Sequence, residues 1–403
     1  MKNLKIFYSI DDIFPPYRVD VSELFGVSLA KRGLDTEWYM RNPISGKAAS
    51  IKLNNQTVHL PGFIKRSGLL WKIINKLAFW FYDALNLWRC RNSAELIQVR
   101  DKTIAALIGL LVARIKGIPF VYWYSYPFPE DYLESAKVAT GMRRLYFNCH
   151  ARLERPVLYR FVMPLSDHVF VQSGQMKIDL AVYGVPPDKM TPIPMGIPSQ
   201  LLSFVGTKAV QEVPGRIVYL GTLAAIRQLQ VLIEAFAKVH AHIPNARLVI
   251  VGDGDIPEET VSLVRLAQQF GIGFAVDFTG FVPIEQAWKI AASAQVCVSP
   301  IYPTPVLNSA SPTKLNEYMA LGKPVVCNVH PEQSATINAS GAGLCVPWGA
   351  EHFANAMIWL FEHPDEAREM GAKGADWVAQ HRTYDRIAET VWNKYQDIMQ
   401  TKS

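Results

Sequence analysis

Lys314 and Glu317 stand three residues apart in the run Ser311-Pro312-Thr313-Lys314-Leu315-Asn316-Glu317-Tyr318-Met319-Ala320-Leu321-Gly322-Lys323-Pro324-Val325-Val326. A cation and a carboxylate at that spacing share one face of a helix. Pro312 belongs to a tight loop before the helix, Gly322 is placed to stop it, and Pro324 prevents its continuation into the strand that begins at Val325. A loop that opens straight into a helix leaves backbone N–H groups free and presents the positive end of the helix dipole, which suits a phosphate. Glu317, one turn inside, is in reach of a sugar hydroxyl attached to that phosphate, as carboxylates are in dinucleotide folds. The two side chains can equally pair with each other on a surface, at little energetic gain.

A second cation lies upstream. Tyr219-Leu220-Gly221-Thr222-Leu223 is a strand end closed by glycine, and Arg227 follows six residues after Gly221. Glycine lets a ligand approach the backbone, and a guanidinium a turn later can grip its phosphates in two places; the alternative is an exposed arginine at a helix start. Gly252-Asp253-Gly254 is a weak dinucleotide signal because no third glycine follows in register. His240 and His242, two apart on a helix, point in different directions and make a poor metal pair.

The elements that would carry these residues follow an α/β pattern of apolar strands alternating with helix-period segments. In the first half strands are expected at Lys5–Ser9, Asp35–Met40, Leu96–Arg100, Phe120–Tyr124 and His168–Gln172, with helices at Ser22–Arg32 and Thr103–Ile115. A Pro- and Gly-rich segment, Pro192 to Pro198, is expected to form the last strand and a hinge. A second series follows: strands at Ile217–Gly221, Arg247–Val251, Val276–Phe278 and Gln295–Ser299, and a helix at Leu229–His240. Helical patterns at Glu351–Phe361, Pro364–Gly371 and Tyr384–Gln400 close the chain. In the last of these, Ile387, Val391, Tyr395 and Ile398 fall near one face.

The Ser311 to Val326 run closely resembles the donor-binding segment of the retaining glycosyltransferases of family four, within the group 1 glycosyltransferases. That resemblance implies the GT-B architecture: two Rossmann-like domains facing a cleft, with a C-terminal helix crossing back to the first domain. The expected divisions are 1–197 on the acceptor side, 198–383 for the nucleotide-sugar, and 384–403 for the returning helix. It also implies that Arg227, Lys314 and Glu317 carry the chemistry, the two cations on the diphosphate and Glu317 on the ribose. Gly221, Thr222, Ser311 and the backbone of Thr313 would line the donor, and Thr279-Gly280-Phe281-Val282-Pro283 would read the base through Gly280 and Val282.

Departures from the family pattern matter. Thr222 stands where an arginine is common, and Arg227-Gln228 replaces a Lys-Gly pair, which keeps the charge. Ser309 occupies the position of a second glutamate that holds the transferred sugar, so the identity of that sugar is open. Ser125 stands where relatives have a histidine, which leaves Asp12, Asp20, Glu130 and Asp131 as candidate bases for an acceptor hydroxyl; each is also an ordinary capping or surface acid.

Composition bounds the partners. The 403 residues are half hydrophobic and 19% charged, a globular composition with room for two domains. The net +6 is uneven: residues 1–200 hold 26 Lys and Arg against 16 Asp and Glu, residues 201–403 hold 15 against 19. A basic first half points to an anionic partner, membrane phospholipid or nucleic acid. Between Phe63 and Arg91 three Trp and six Lys or Arg meet one acid, Asp83. This suits a helix lying in the headgroup layer of an anionic membrane, or one whose aromatic face packs on a sheet. No nucleic-acid motif accompanies the charge, so nucleic acid is not expected. Five scattered cysteines without a C-x-x-C pair suggest a reducing compartment, and no leader or spanning segment is evident.

These readings converge on an expected retaining transferase of a UDP- or GDP-sugar, acting on a glycan or lipid-linked acceptor in cell-surface polysaccharide synthesis. It would need no cofactor and no divalent metal, and would sit in the cytoplasm on the inner face of the membrane. A nucleotide-sugar epimerase and a non-catalytic partner subunit on the same fold are the alternatives, the latter kept open by Ser309 and Ser125.

Overall fold

β5 (Leu96–Arg100) and β6 (Phe120–Tyr124) are buried at every residue, the mark of parallel strands covered on both faces. They lie at the centre of an eight-stranded sheet with β1 (Leu4–Ile13), β2 (Leu34–Arg41), β3 (Ala49–Leu53), β4 (Gln56–Leu60), β7 (His168–Val171) and β8 (Met190–Pro192). The strand order is β3-β4-β2-β1-β5-β6-β7-β8, parallel throughout except for the β3–β4 hairpin. The computed structural model describes residues 3–16, 18–44, 46–53, 56–90, 93–207 and 210–402. Contacts divide the chain into two compact units, Met1–Pro194 with Tyr384–Ser403, and Met195–Thr383.

The second unit is built on β9 (Arg216–Leu220), β10 (Arg247–Val251), β11 (Val276–Phe278), β12 (Val296–Ser299), β13 (Val325–Asn328) and β14 (Gly343–Val346). Their order β11-β10-β9-β12-β13-β14, all parallel, is the doubly wound 3-2-1-4-5-6 arrangement. Strand order reverses between β9 and β12 here and between β1 and β5 in the first unit. In such sheets ligands bind outside the carboxyl ends of the strands at that reversal. Gly221 and the Ser-Pro loop leave the sheet at those ends.

Five helices matter below: α1 (Leu69–Arg89), α2 (Thr103–Lys116), α3 (Gly141–Pro156), α4 (Thr313–Ala320) and α5 (Tyr384–Lys402). α5 belongs to the first unit. Its Ile387, Ala388, Val391, Trp392, Tyr395 and Ile398 are buried against Leu4, Ile6 and Tyr8 of β1, and the Tyr395 hydroxyl donates to Gln98 Oε1 at 2.6 Å.

Some expectations change. The helix expected at Ser22–Arg32 is a single α-turn, Val19–Ser22, followed by a π-helical stretch, Leu24–Leu29, with Gly26 inside it. Glycine weakens the preference for a tight α-turn. The β3–β4 hairpin and α3 were not anticipated from sequence. β3 is short and largely exposed, and α3 offers few buried apolar positions, so neither produces a strong periodic signal. Arg91, the last residue of the basic stretch, lies outside the described residues.

Candidate functional site

Gly221 adopts φ 141°, a conformation that favours glycine, and donates its N–H to Val251 O at 2.9 Å. A Cβ there would sit 2.9 Å from Lys314 Nζ and 3.2 Å from the Tyr219 hydroxyl, so glycine is what lets the strand end and α4 come together. Gly252, at φ 134°, donates to Gly280 O at 3.1 Å, and a Cβ there would collide with Gly221 O. Three loops at the carboxyl ends of β9, β10 and β11 are thus held in contact by backbone. Glu259 reinforces them, accepting from Ala225 N–H and Asp255 N–H, each at 2.7 Å. Thr222 Oγ1 accepts from Arg227 Nε at 3.3 Å, which aims the half-buried guanidinium along the loop.

α4 enters from the other side of the strand reversal. No side chain caps its start at Pro312, and Gly322 follows its last turn at φ 69°. The Lys314 ammonium lies 4.0 Å over the Tyr219 ring, buried and without a hydrogen-bond partner. Burial pushes its pKa well below the usual lysine value; Arg227 acts the same way, and Glu317 opposes. Burial likewise pushes the Glu317 carboxyl up, opposed by a 3.5 Å hydrogen bond from Trp288 Nε1 and by Lys314. Among the described ion pairs no Lys314–Glu317 bridge occurs; the two share a face without neutralising each other at contact.

The other expected donor residues are placed as follows. Ser311 is buried; its Oγ accepts Met195 N–H at 2.9 Å, while Asn316 Nδ2 donates to Met195 O at 3.0 Å, so both fasten the segment at Met195 to α4. Ser309 is buried at the end of the short helix Pro305–Asn308 and donates to Pro305 O at 3.4 Å. Thr313 is the half-buried first residue of α4. Gly280 turns at φ 65°, and Val282 packs its side chain on the core.

In the first unit the four candidate bases separate. Asp12 and Asp20 gather at the carboxyl end of β1, whereas Glu130 and Asp131 lie on the helix Phe128–Val138. Asp20 is buried; burial pushes its carboxyl up, but Arg100, at 2.6 Å, and Arg18, at 3.3 Å, outweigh this and hold it below the usual range. That carboxylate is committed to guanidinium groups. Asp12 has one buried oxygen without a partner, and burial pushes its pKa up against the pull of Arg18 and Arg100. Burial also raises Glu130, which accepts from Tyr159 at 2.5 Å, and Asp131.

The sequence reading missed the network around them. Asp101 holds φ 55°, unusual for a residue other than glycine, and binds Ser125 through both backbone and hydroxyl. Arg100 Nε donates to Ser125 Oγ at 3.3 Å, and one of its terminal nitrogens is buried without a partner. An Arg-Asp pair closing a buried strand whose interior is apolar apart from Gln98 was the available signal. Among the described residues no group of three or more His, Cys, Asp or Glu side chains is placed to hold a metal ion. None of the described helices is long and apolar enough to cross a membrane.

Comparison with known proteins matches both halves. Residues 26–201 fit the family model described as Glycosyltransferase Family 4, and residues 214–363 fit that of Glycosyl transferases group 1. A D-rhamnosyltransferase, WbpZ of Pseudomonas aeruginosa, is 26% identical over 61% of this chain and 66% of its own length. A GDP-mannose-dependent alpha-(1-6)-phosphatidylinositol monomannoside mannosyltransferase of Mycobacterium tuberculosis is 27% identical over 43% of this chain and 45% of its own. The chain thus spans less than two thirds of the length of each of these relatives. Among solved structures, sucrose-phosphate synthase from Thermosynechococcus elongatus superimposes with TM-score 0.72 at 19% identity, over 99% of this chain and 100% of the other. Anabaena HepE in complex with UDP superimposes with TM-score 0.69 at 15% identity, over 98% and 100%. At such identities the superpositions establish the shared fold.

Proposed function

The chain belongs to the group 1 glycosyltransferases of family 4, with the GT-B fold, and on that premise we propose that it transfers a sugar from a nucleotide-sugar to a hydroxyl with retention of configuration. The observation that carries this reading is Lys314: an ammonium buried without a hydrogen-bond acceptor, beside Gly221 and on the same loop system as Arg227. An uncompensated buried cation is costly, so such a site is suited to an anion that arrives with the substrate. The donor diphosphate is that anion. It lies against Arg227, Lys314, Thr222 and the uncapped start of α4 at Thr313. Glu317 holds the ribose hydroxyls, the Gly280–Val282 backbone meets the base, and the transferred sugar faces the Ser309–Ser311 loop.

As the sugar leaves, negative charge grows on the diphosphate, and two fixed cations and a helix dipole stabilise it without reorganising. With that neutralisation supplied by the chain, no divalent metal is required. Asp12, whose carboxyl is raised and has an unpartnered oxygen, is the group offered to the acceptor hydroxyl. The GDP-mannose and phosphatidylinositol in one relative's name, and the UDP held by a solved neighbour, support a UDP- or GDP-sugar donor and a lipid-linked or glycan acceptor. The basic, Trp-bearing stretch 63–91 supports a peripheral seat on the anionic inner face of the cell membrane, in polysaccharide assembly.

Calorimetry with UDP and GDP, followed by kinetics with the nucleotide-sugar that binds, tests the donor site. Glu317→Ala should cost about 1.5–3 kcal/mol of nucleoside-diphosphate binding, roughly a factor of ten to a hundred and fifty in Kd. Arg227→Ala should lower kcat more than it weakens binding, because its charge matters most in the transition state. Wild-type affinity and turnover in both variants would refute the assignment, and an inverted product anomer would refute retention.

A further inference from the structure

Two helices of the first unit expose apolar residues in the same pattern. On α1, Leu70, Ile73, Ile74, Leu77 and Phe81 are 38–65% exposed, and Trp88 continues the line at 46%. On α3, Met142, Leu145, Tyr146 and Leu153 are 51–80% exposed, with the exposed thiol of Cys149 among them. Both sets run i, i+3, i+4, i+7, i+11, which at 100° per residue draws one stripe along a helix.

In an ordinary surface helix such a stripe faces the core. Here the opposite side is held inward. Asp83 of α1 is buried, accepts Ser9 Oγ at 2.6 Å and is paired with Lys102, whose ammonium lies 4.4 Å over the Phe79 ring; Leu87 is buried beside them. That polar anchor fixes the rotation of α1 and leaves the aliphatic line outside. On α3, Ala151 is buried and Phe147 stacks on Tyr132 at 6.1 Å, so again the apolar line is left out. Lys76 of α1 is near enough for its charge to favour the ionised form of Glu154 on α3. α2, which packs on α1, adds the exposed Leu107, Leu111 and Ile115.

Charge identifies what covers this surface. Lys72, Lys76 and Arg89 of α1, and Arg143, Arg144 and Arg152 of α3, are exposed. The acids of these two helices are engaged: Asp83 is buried with Lys102, and Glu154 lies 3.5 Å from His150. Apolar lines bordered by cations match the acyl boundary and anionic headgroups of a lipid monolayer. A second copy of the chain would bring the same cations face to face. We propose that α3 is a second lipid-contacting helix, and that α1 and α3 dock together on an anionic membrane surface. This rests on the membrane reading of stretch 63–91 and adds a contact from α3.

Cys149 provides the probe. The full chain, carrying Cys345→Ser so that only the α3 thiol is labelled, is modified with an environment-sensitive fluorophore. It is titrated with vesicles of phosphatidylcholine alone and of phosphatidylcholine with phosphatidylglycerol in equal parts. Emission should rise and shift blue with the anionic vesicles only, and the response should fall with salt. At about a fivefold change in partition per cation, Arg143→Gln, Arg144→Gln and Arg152→Gln together should weaken pelleting about 100-fold with Tm unchanged. Leu145→Ser with Leu153→Ser should weaken it too. Pelleting with a silent Cys149 probe and unaffected α3 variants would overturn the role of α3 while leaving that of α1. Failure of the wild type to bind any vesicle would overturn both. A lipid-free dimer in sedimentation velocity, dissociated by Leu145→Ser, would overturn the proposal in favour of self-association.

Discussion

In the absence of a bound anion, burial and Arg227 disfavour the charge of Lys314 more than Glu317 restores it. A bound diphosphate supplies the missing anion and raises the pKa again. The free pKa therefore lies below the bound one, and in the window between them binding takes up a proton. Affinity for a nucleoside diphosphate should be flat below the free pKa and fall as pH rises through the window. Calorimetry in buffers of different ionisation enthalpy should register uptake of up to one proton within that window and none on either side of it, and Lys314→Gln should abolish it. Binding without proton uptake at any pH would mean that the ammonium stays charged in the empty site or lies apart from the ligand. Asp12 and Asp20 make the complementary point in the first unit. They share a strand end, yet one carboxyl is raised by burial and the other is held down by Arg100 and Arg18.

Elements are joined at the site by single contacts that close gaps in the sheet. β12 pairs with β9 only at Val296↔Ile217 and Cys297↔Val218. Beyond that register the Leu220 N–H is met instead by the Tyr318 hydroxyl of α4 at 2.6 Å, both residues being buried. This fixes α4, and with it Lys314 and Glu317, against the end of β9. Tyr318→Phe leaves the N–H buried and unpaired, so urea unfolding should show a loss of about 1–3 kcal/mol. Donor affinity should weaken as well, since α4 loses its link to the Gly221 loop. Stability and affinity both at wild-type level would show that the loop is held by the backbone contacts of Gly252 and Gly280 alone.

Across the whole molecule, the chain end completes the first unit. α5 inserts Ile387, Val391, Tyr395 and Ile398 into the core formed by β1 and β2, and Tyr395 reaches the buried Gln98 of β5. Ending the chain at Thr383 should expose that core and lower Tm by many degrees. The milder Tyr395→Phe, which orphans one acceptor, should cost about 1–3 kcal/mol. Thermal unfolding and denaturant titration give both numbers. A truncated chain with wild-type Tm would show that the first unit is stable without its returning helix.

What the sequence determined by itself was local. The i, i+3 spacing of Lys314 and Glu317, the Pro312 and Gly322 limits of α4, the glycine closing β9 and the long apolar strands all act within a few residues, where steric and hydrogen-bonding rules hold whatever surrounds them. The stripe on α5 was legible for the same reason. Side-chain environment was not legible, because partners distant in the chain set it. Lys314 and Glu317 satisfy a surface ion pair equally well on paper; the Tyr219 ring beneath one and the Trp288 indole beside the other decided against it. Asp20 was an open acid until Arg100 folded onto it. In stretch 63–91 the aromatic and basic composition did not show which side of the helix is buried; Phe79 and Tyr82 pack on the core, whereas Leu70, Ile73, Leu77 and Phe81 are exposed. Asp83, bound by Ser9 and Lys102, settled which side of α1 turns inward, since a buried carboxylate must follow its cation and the apolar line is left where that rotation puts it.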